Sequence, residues 1–243
     1  MSGRVTLAVT LRVLAQLRRD PRTIVLIVGV PCLLETLLKE LFRGGLVFQH
    51  AGPPLLGLFP FVTMFLVTSI TMLRERTSGT LERLMTMPLA KLDLLAGYGL
   101  AFALVAVVQA TIVSLLAFGA LDLHVAGPRA LVVALAVANA VLGTALGLFV
   151  SAFAQSEFQA VQFMPAMVFP QILLCGLFVG RDQMATWLRW ISDALPLTYA
   201  YDALAHTAND TLDGRFAVDV VVVCGCIVLA LGLGAVTLRR RTD

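Results

Sequence analysis

"LLAGYGLAFALVAVVQATIVSLLAF", Leu94 to Phe118, runs without one Asp, Glu, Lys or Arg. A helix needs about 20 mostly apolar residues to cross the hydrocarbon core of a bilayer, where no water is present to satisfy free peptide groups. The run is long enough, and it is bounded on one side by Lys91 and Asp93. Outward from it lie five more apolar segments: 23–41 and 55–73 before it, then 130–153, 158–179 and 217–238. None alternates polar with apolar residues in strands of about ten, as a membrane barrel would. The expected fold is therefore all-α: a polytopic membrane protein with six transmembrane helices, one membrane domain over 1–243. The first span is the least regular, because Glu35, Lys39 and Glu40 crowd its second half.

Composition points the same way. The chain is 59% hydrophobic and 14% charged, with a mean hydropathy of +0.91, whereas soluble domains carry about 25% charged residues. Six spans leave no room for a soluble catalytic domain, so any energy-consuming module is expected on another chain. The opening residues lack a compact apolar core followed by a small-residue cleavage site and are expected to be retained. Cys32, Cys175, Cys224 and Cys226 all sit in apolar runs without metal-ligand or redox spacing, and are read as small buried hydrophobes.

Charge then orients the spans. With six crossings both termini share a side, and that side carries 12 of the 18 Lys and Arg residues: Arg4, Arg12, Arg18, Arg19, Arg22, Arg74, Arg76, Arg83, Lys91, Arg239, Arg240 and Arg241. Positive residues favour the cytoplasmic face, so both termini are placed inside a bacterial plasma membrane. The net charge of +3 is a topology signal, and no nucleic-acid partner is implied. Before the first span, Leu7, Leu11 and Leu14 recur at helical spacing among arginines, which describes a basic amphipathic helix over 1–22 lying in the inner headgroup layer and turning at Asp20-Pro21. A disordered basic tail is the alternative.

The connection between the second and third spans, "LRERTSGTLERLMTMPLAKLDLL" from Leu73 to Leu95, concentrates seven charged residues. Leu81, Leu84, Met85, Pro88 and Leu89 form one apolar stripe at helical spacing, Thr77 or Ser78 can cap its start, and Gly79 permits a sharp change of direction. Connections between bundle helices are usually about 2 to 8 residues, and a longer amphipathic one suits docking to a partner better than a solvated loop or a helix packed on the membrane surface.

"RERTSGTLERLMTMPLAKLDLLAGYGLA", with its E-R-x-x-G-T-L-E-R-L pattern, and "FQAVQFMP" at 158–165 with "LPLTYA" at 195–200, resemble the membrane subunits of ABC-2 type transporters, in particular daunorubicin-resistance-like exporter permeases. The resemblance spans nearly the whole chain. It implies that the segment after span two is a coupling helix seated in a cleft of a separate ABC ATP-binding subunit, with Arg74, Glu75, Arg76, Gly79, Thr80, Leu81, Glu82, Arg83 and Leu84 at the contact. It also implies a second permease copy or paralogue, and ATP and Mg bound by the partner subunit with no cofactor in this chain.

Between spans five and six, Met184, Trp187, Leu188, Ile191 and Leu195 form a helical stripe that Pro196 breaks, and 198–206 can form a second short helix. Trp187, Trp190 and Tyr199 favour the membrane interface, and the resemblance implies a pair of outer re-entrant helices built on Trp187, Trp190, Pro196 and Tyr199. An ordinary interfacial anchor is the simpler reading. Phe59, Phe61, Met64, Phe65, Phe163, Met167 and Phe169 would make an adaptable apolar lining for a hydrophobic drug, lipid or glycolipid, with Pro60, Pro165 and Pro170 permitting bends; packing or lipid-facing surface is the alternative for each. Glu35 is expected to pair with Lys39 one turn later near the outer interface, with a proton relay as the alternative. Gln109 and Asn139 are expected to bond between helices, and Gly143 with Gly147 to form a close-packing face within one chain or between two.

Two other functions fit the sequence less well. An intramembrane lipid-modifying enzyme needs ionisable or nucleophilic groups at depth, but His50, His124 and His206 map to the outer side, and no H-E-x-x-H or G-x-S-x-G occurs. An ion channel would favour polar rings that these spans lack. The sequence has no G-x-x-x-x-G-K-[ST] loop, which suits a subunit driven by someone else's ATPase.

Overall fold

Asp20 accepts a hydrogen bond from the Thr23 amide and Pro21 occupies the first helical turn, so the chain breaks and restarts where the sequence demands it. In the computed structural model, which describes residues 3–80, 91–211 and 213–237, that break separates α1 (Gly3–Arg18) from α2 (Pro21–Leu41). The order continues with α3 (Leu46–Thr77), α4 (Lys91–Gly119) and α5 (Arg129–Ser151). Next come α6 (Glu157–Phe163), a π-helical turn (Met164–Val168) and α7 (Phe169–Leu174). The chain closes with α8 (Thr186–Ala194), α9 (Pro196–Ala208) and α10 (Gly214–Thr237). The described residues are helical with connecting turns and form no strand.

Among the described residues, four helices are long and apolar enough to cross a membrane: Leu46–Thr77, Asp93–Gly119, Arg129–Ser151 and Gly214–Thr237. Of the other two expected spans, 23–41 is the continuous helix α2, which is not among these four, and the second is interrupted. Segment 158–179 is not one continuous α-helix: Pro165, which cannot donate a backbone hydrogen bond, falls in the π-helical turn, Pro170 falls in the first turn of α7, and helix ends at Leu174. In α2, Glu35 and Lys39 do not pair. Lys39 Nζ donates to the Ala120 carbonyl at 3.2 Å, while Glu35 is fully buried and both its carboxyl oxygens lack a partner among the described residues.

Helix α3 forms the axis. It starts nine residues before the expected span and runs through Pro53, Pro54 and Pro60, all buried. Thr63 Oγ1 donates to the Phe59 and Pro60 carbonyls near the last of these. Against it lies α5, and the approach is set by glycine: a Cβ on Gly143 would stand 2.2 Å from the Phe61 carbonyl oxygen, and one on Gly147 2.6 Å from that of Phe65. The G-x-x-x-G face therefore packs within one chain. Gln109 of α4 bridges two other helices, donating to the Ile27 carbonyl at 2.7 Å and to Thr63 Oγ1.

Candidate functional site

Residues 74–76 close α3, and a helix turns by about 100° per residue, so three consecutive charged side chains leave it in three directions. Each is caught by a different element. Arg74 makes a two-pronged contact with Glu157 at the start of α6, Nε to Oε1 at 2.7 Å and Nη2 to Oε2 at 3.0 Å. Both side chains are more than half exposed, and the Arg74 hydrogen bonds hold the Glu157 carboxyl below its ordinary range. Arg76 donates to the Ser151 carbonyl at 2.6 Å, satisfying a peptide oxygen where α5 ends and its dipole is negative.

Glu75 is the buried member. Its side chain is 8% exposed and accepts from Arg12 Nη2 at 3.1 Å and Gln16 Nε2 at 2.9 Å, both on α1. The same Arg12 nitrogen donates to the Tyr98 hydroxyl of α4, and its guanidinium lies 5.7 Å from the centre of the Tyr98 ring. Packing brings α1 close enough for this. Thr10 Oγ1 donates to the Gly97 carbonyl at 3.1 Å, and any side chain at Gly97 would meet Val9 Cβ at 2.6 Å. Thr6, Val9, Thr10 and Val13 are the buried face of α1, while Leu7 and Leu11 of the expected stripe are exposed.

Two helices and the ends of two more thus grip the last turn of α3, immediately before the 81–90 stretch. Ser78 ends the helix, and Gly79 follows with φ +70°, a left-handed conformation that glycine adopts without strain. A Cβ there would touch nothing within 4 Å, so the requirement is backbone conformation, not space. Ser78 Oγ and Thr80 Oγ1 are hydrogen-bonded at 2.9 Å. Leu81, Glu82, Arg83 and Leu84, the centre of the expected contact, lie outside the described residues. Sequence reasoning missed Arg12, Gln16, Tyr98, Ser151 and Glu157. Arg12 and Tyr98 carried a weak signal, a cation inside an amphipathic repeat and a hydroxyl near the start of an otherwise apolar run.

Of the expected path residues, Phe59, Phe61, Phe65 and Phe163 share one packed cluster and Met64 belongs to another. Phe61, Met64 and Phe65 are buried in the packed interior, Phe59 and Phe163 are half-buried, and Met167 and Phe169 are exposed. At the opposite end of the bundle from residues 74–76, Trp187 and Trp190 of α8 stand 62% and 73% exposed. Pro196 starts α9, and Tyr199 donates its hydroxyl proton to the Asp193 carbonyl at 2.6 Å.

A family model described as "ABC-2 type transporter" matches residues 4–208. Among curated proteins, ABC transporter G family member 20 of Dictyostelium discoideum is 28% identical over 153 residues, 63% of this chain and 21% of that protein. The probable multidrug ABC transporter permease YbhR of Escherichia coli (strain K12) is 29% identical over 150 residues, 62% of this chain and 41% of that one. The aligned region thus spans less than half the length of each of these relatives.

Proposed function

Because the chain belongs to the ABC-2 type transporter family, we propose that it is the membrane-spanning permease subunit of an ATP-driven exporter, moving a hydrophobic drug, lipid or glycolipid out of the cytoplasm or the inner leaflet. Hydrolysis is supplied by a separate ATP-binding subunit that holds ATP and Mg, and a second permease copy or paralogue completes the path. The chain crosses a bacterial plasma membrane six times, α2 and the α6–α7 segment included, with both termini cytoplasmic.

The observation that carries this reading is the grip on the end of α3. A push delivered at 81–84 reaches a helix whose last turn is tied to α1 through Arg12 and Gln16, to α4 through Tyr98, to α5 at Ser151 and to α6 at Glu157. Rigid-body displacement needs such ties, since a loose terminus would absorb the motion locally. In this arrangement Arg74, Glu75 and Arg76 transmit the push, and residues 80–84 receive it. The exposed leucines of α1 rest in the inner headgroup layer, and α8 with α9 forms the outer re-entrant pair.

Charge reversal at Glu82 and Arg83 tests the reading in the assembled complex. ATP turnover coupled to transport should fall while membrane insertion is unchanged; unaltered turnover refutes a docking role. Purification from mild detergent should bring down an ATP-binding chain.

A further inference from the structure

The end of the bundle away from residues 74–76 holds a chamber of about 860 Å³ that nothing above uses. The first turns of α3, the turn before α8, the helices α8 and α9, and the first turns of α10 wall it, and beside His50 and His206 its lining includes Arg181, Arg189, Arg215, Asp182, Asp202 and Asp219. Three cations face three acids. Arg181 is committed, bonded to Asp202 at 2.8 Å and to Asp193. Arg189 and Arg215 are exposed, and neither side chain makes an ion pair with a described residue.

Asp219 is the reverse case. It is 7% exposed, and its Oδ2 is buried without a hydrogen-bond partner among the described residues, as is Arg181 Nε. A buried acceptor left open in a native fold demands a donor from elsewhere, because its desolvation is otherwise uncompensated. The chamber therefore offers a buried carboxylate oxygen wanting a donor and, at its exposed rim, two guanidinium forks wanting an anion. A purely anionic ligand would leave Asp219 open, and a purely cationic one would face Arg189 and Arg215. A ligand carrying both signs satisfies both.

Position narrows it further. Trp187 and Trp190, the only tryptophans of the chain, flank Arg189 on α8 and are exposed. Tryptophans in membrane proteins gather at headgroup depth. We infer that this chamber binds a zwitterionic aminophosphate, its ammonium donating to Asp219 and its phosphate held by Arg189 and Arg215, of the kind carried by an ethanolamine lipid headgroup. On the orientation proposed above, the site faces the outer leaflet. The binding itself needs no ATP-binding partner, so a failure here and a failure of coupled turnover are separate results.

The test uses the purified full chain in mild detergent, with tryptophan fluorescence reporting from beside the site. Dihexanoyl phosphatidylethanolamine should bind at least about tenfold tighter than dihexanoyl phosphatidylglycerol, which has the phosphate but no ammonium for the charge-assisted bond. Asp219→Asn should bring that ratio close to one by weakening only the ethanolamine lipid. Arg189→Gln, at an exposed position that does not threaten folding, should weaken both lipids. Glycerophosphoethanolamine separates the sources: binding equal to the lipid assigns a soluble aminophosphate, and much weaker binding assigns the bilayer, and either supports the site. Equal affinity of the wild-type chain for the two lipids overturns the inference, as does an unchanged affinity for both in Arg189→Gln.

Discussion

Replacing Glu75 by Met removes one side of a largely buried ion pair and leaves Arg12, Gln16 and Tyr98 facing an apolar side chain. Deleting one partner of a buried pair costs roughly 3 to 5 kcal/mol, because the remaining charge stays desolvated. Here the cost is smaller. Arg12 is 30% exposed and can partly rehydrate, and its bond to Tyr98 survives, so about 2 to 3 kcal/mol is expected. For a chain of 243 residues that corresponds to a midpoint lowered by about 4 to 12 °C in thermal unfolding. Arg12→Met should lower it comparably, since it strands the Glu75 carboxylate, which is 8% exposed.

The decisive measurement is the double variant. Arg12→Met with Glu75→Met replaces a buried pair by two apolar side chains of similar length, which elsewhere is neutral or stabilising. The unfolding midpoint should return close to the wild-type value, giving a coupling energy of about 4 to 6 kcal/mol between the two sites. If the two losses simply add, with coupling below about 0.5 kcal/mol, the pair does not tie α1 to α3 and the mechanical argument fails. In the assembled transporter, the same double variant should stay folded yet lose part of its coupled ATP turnover, because packing alone does not fix the angle between the helices.

Further consequences concern other positions. Gly143→Ala should be the costliest of three glycine changes, about 3 kcal/mol or more, since its Cβ would meet backbone at 2.2 Å; Gly147→Ala follows at 2.6 Å, and Gly225→Ala, with nothing within 4 Å, should stabilise the chain by up to about 1 kcal/mol. A midpoint series in any other order refutes the packing argument. Glu35→Met should stabilise the chain by about 1 to 3 kcal/mol, because it removes two buried oxygens that have no partner among the described residues; a lower midpoint would show a partner beyond them. The Glu157 carboxyl is held below its ordinary range by Arg74. Its contribution is therefore complete above the unfolded carboxylate value near about 4.3 and disappears as pH falls through the folded value. Wild type and Glu157→Gln should accordingly converge in stability once pH falls below the folded carboxyl value, and differ slightly above the unfolded one.

What the sequence disclosed follows from which forces are local. Helix α5 matches the apolar run at 130–153 to within about two residues at both ends, α4 ends one residue past the run at 94–118, and α10 starts three residues before the run at 217–238, because in a bilayer an unbroken apolar run has no other way to satisfy its peptides. Helix α3 defeated the same rule at its start. Gly52, Pro53 and Pro54 look like breakers, yet all three are buried, and a Cβ on Gly52 would stand 2.8 Å from Leu123 and 3.7 Å from Phe48. Tertiary packing there overrides local preference. Segment 158–179 failed in the other direction, because prolines at 165 and 170 act on hydrogen bonds that hydropathy does not register.

The site divides along the same line. The charges at 74–76 were visible as an interruption in an apolar chain, and the left-handed turn after them was visible as Gly79. Their partners were not, since Arg12 and Glu75 are 63 residues apart, Arg12 and Tyr98 86, and Arg74 and Glu157 83, and no helical period relates such positions. The expected Glu35–Lys39 pair shows why a short period can mislead as well: both residues sit on one face of α2, but Lys39 reaches the open carbonyl of Ala120 at the end of α4 instead. A charge-assisted bond to a free helix-terminal carbonyl competes well with an ion pair that would pull a lysine toward the bilayer interior. Lys39→Met should therefore leave Glu35 as it is and loosen the α4 terminus, so the amides just after α4, from Ala120 onward, are where hydrogen exchange should accelerate; faster exchange confined to the α2 amides around Glu35 would restore the ion pair in place of the bond described here.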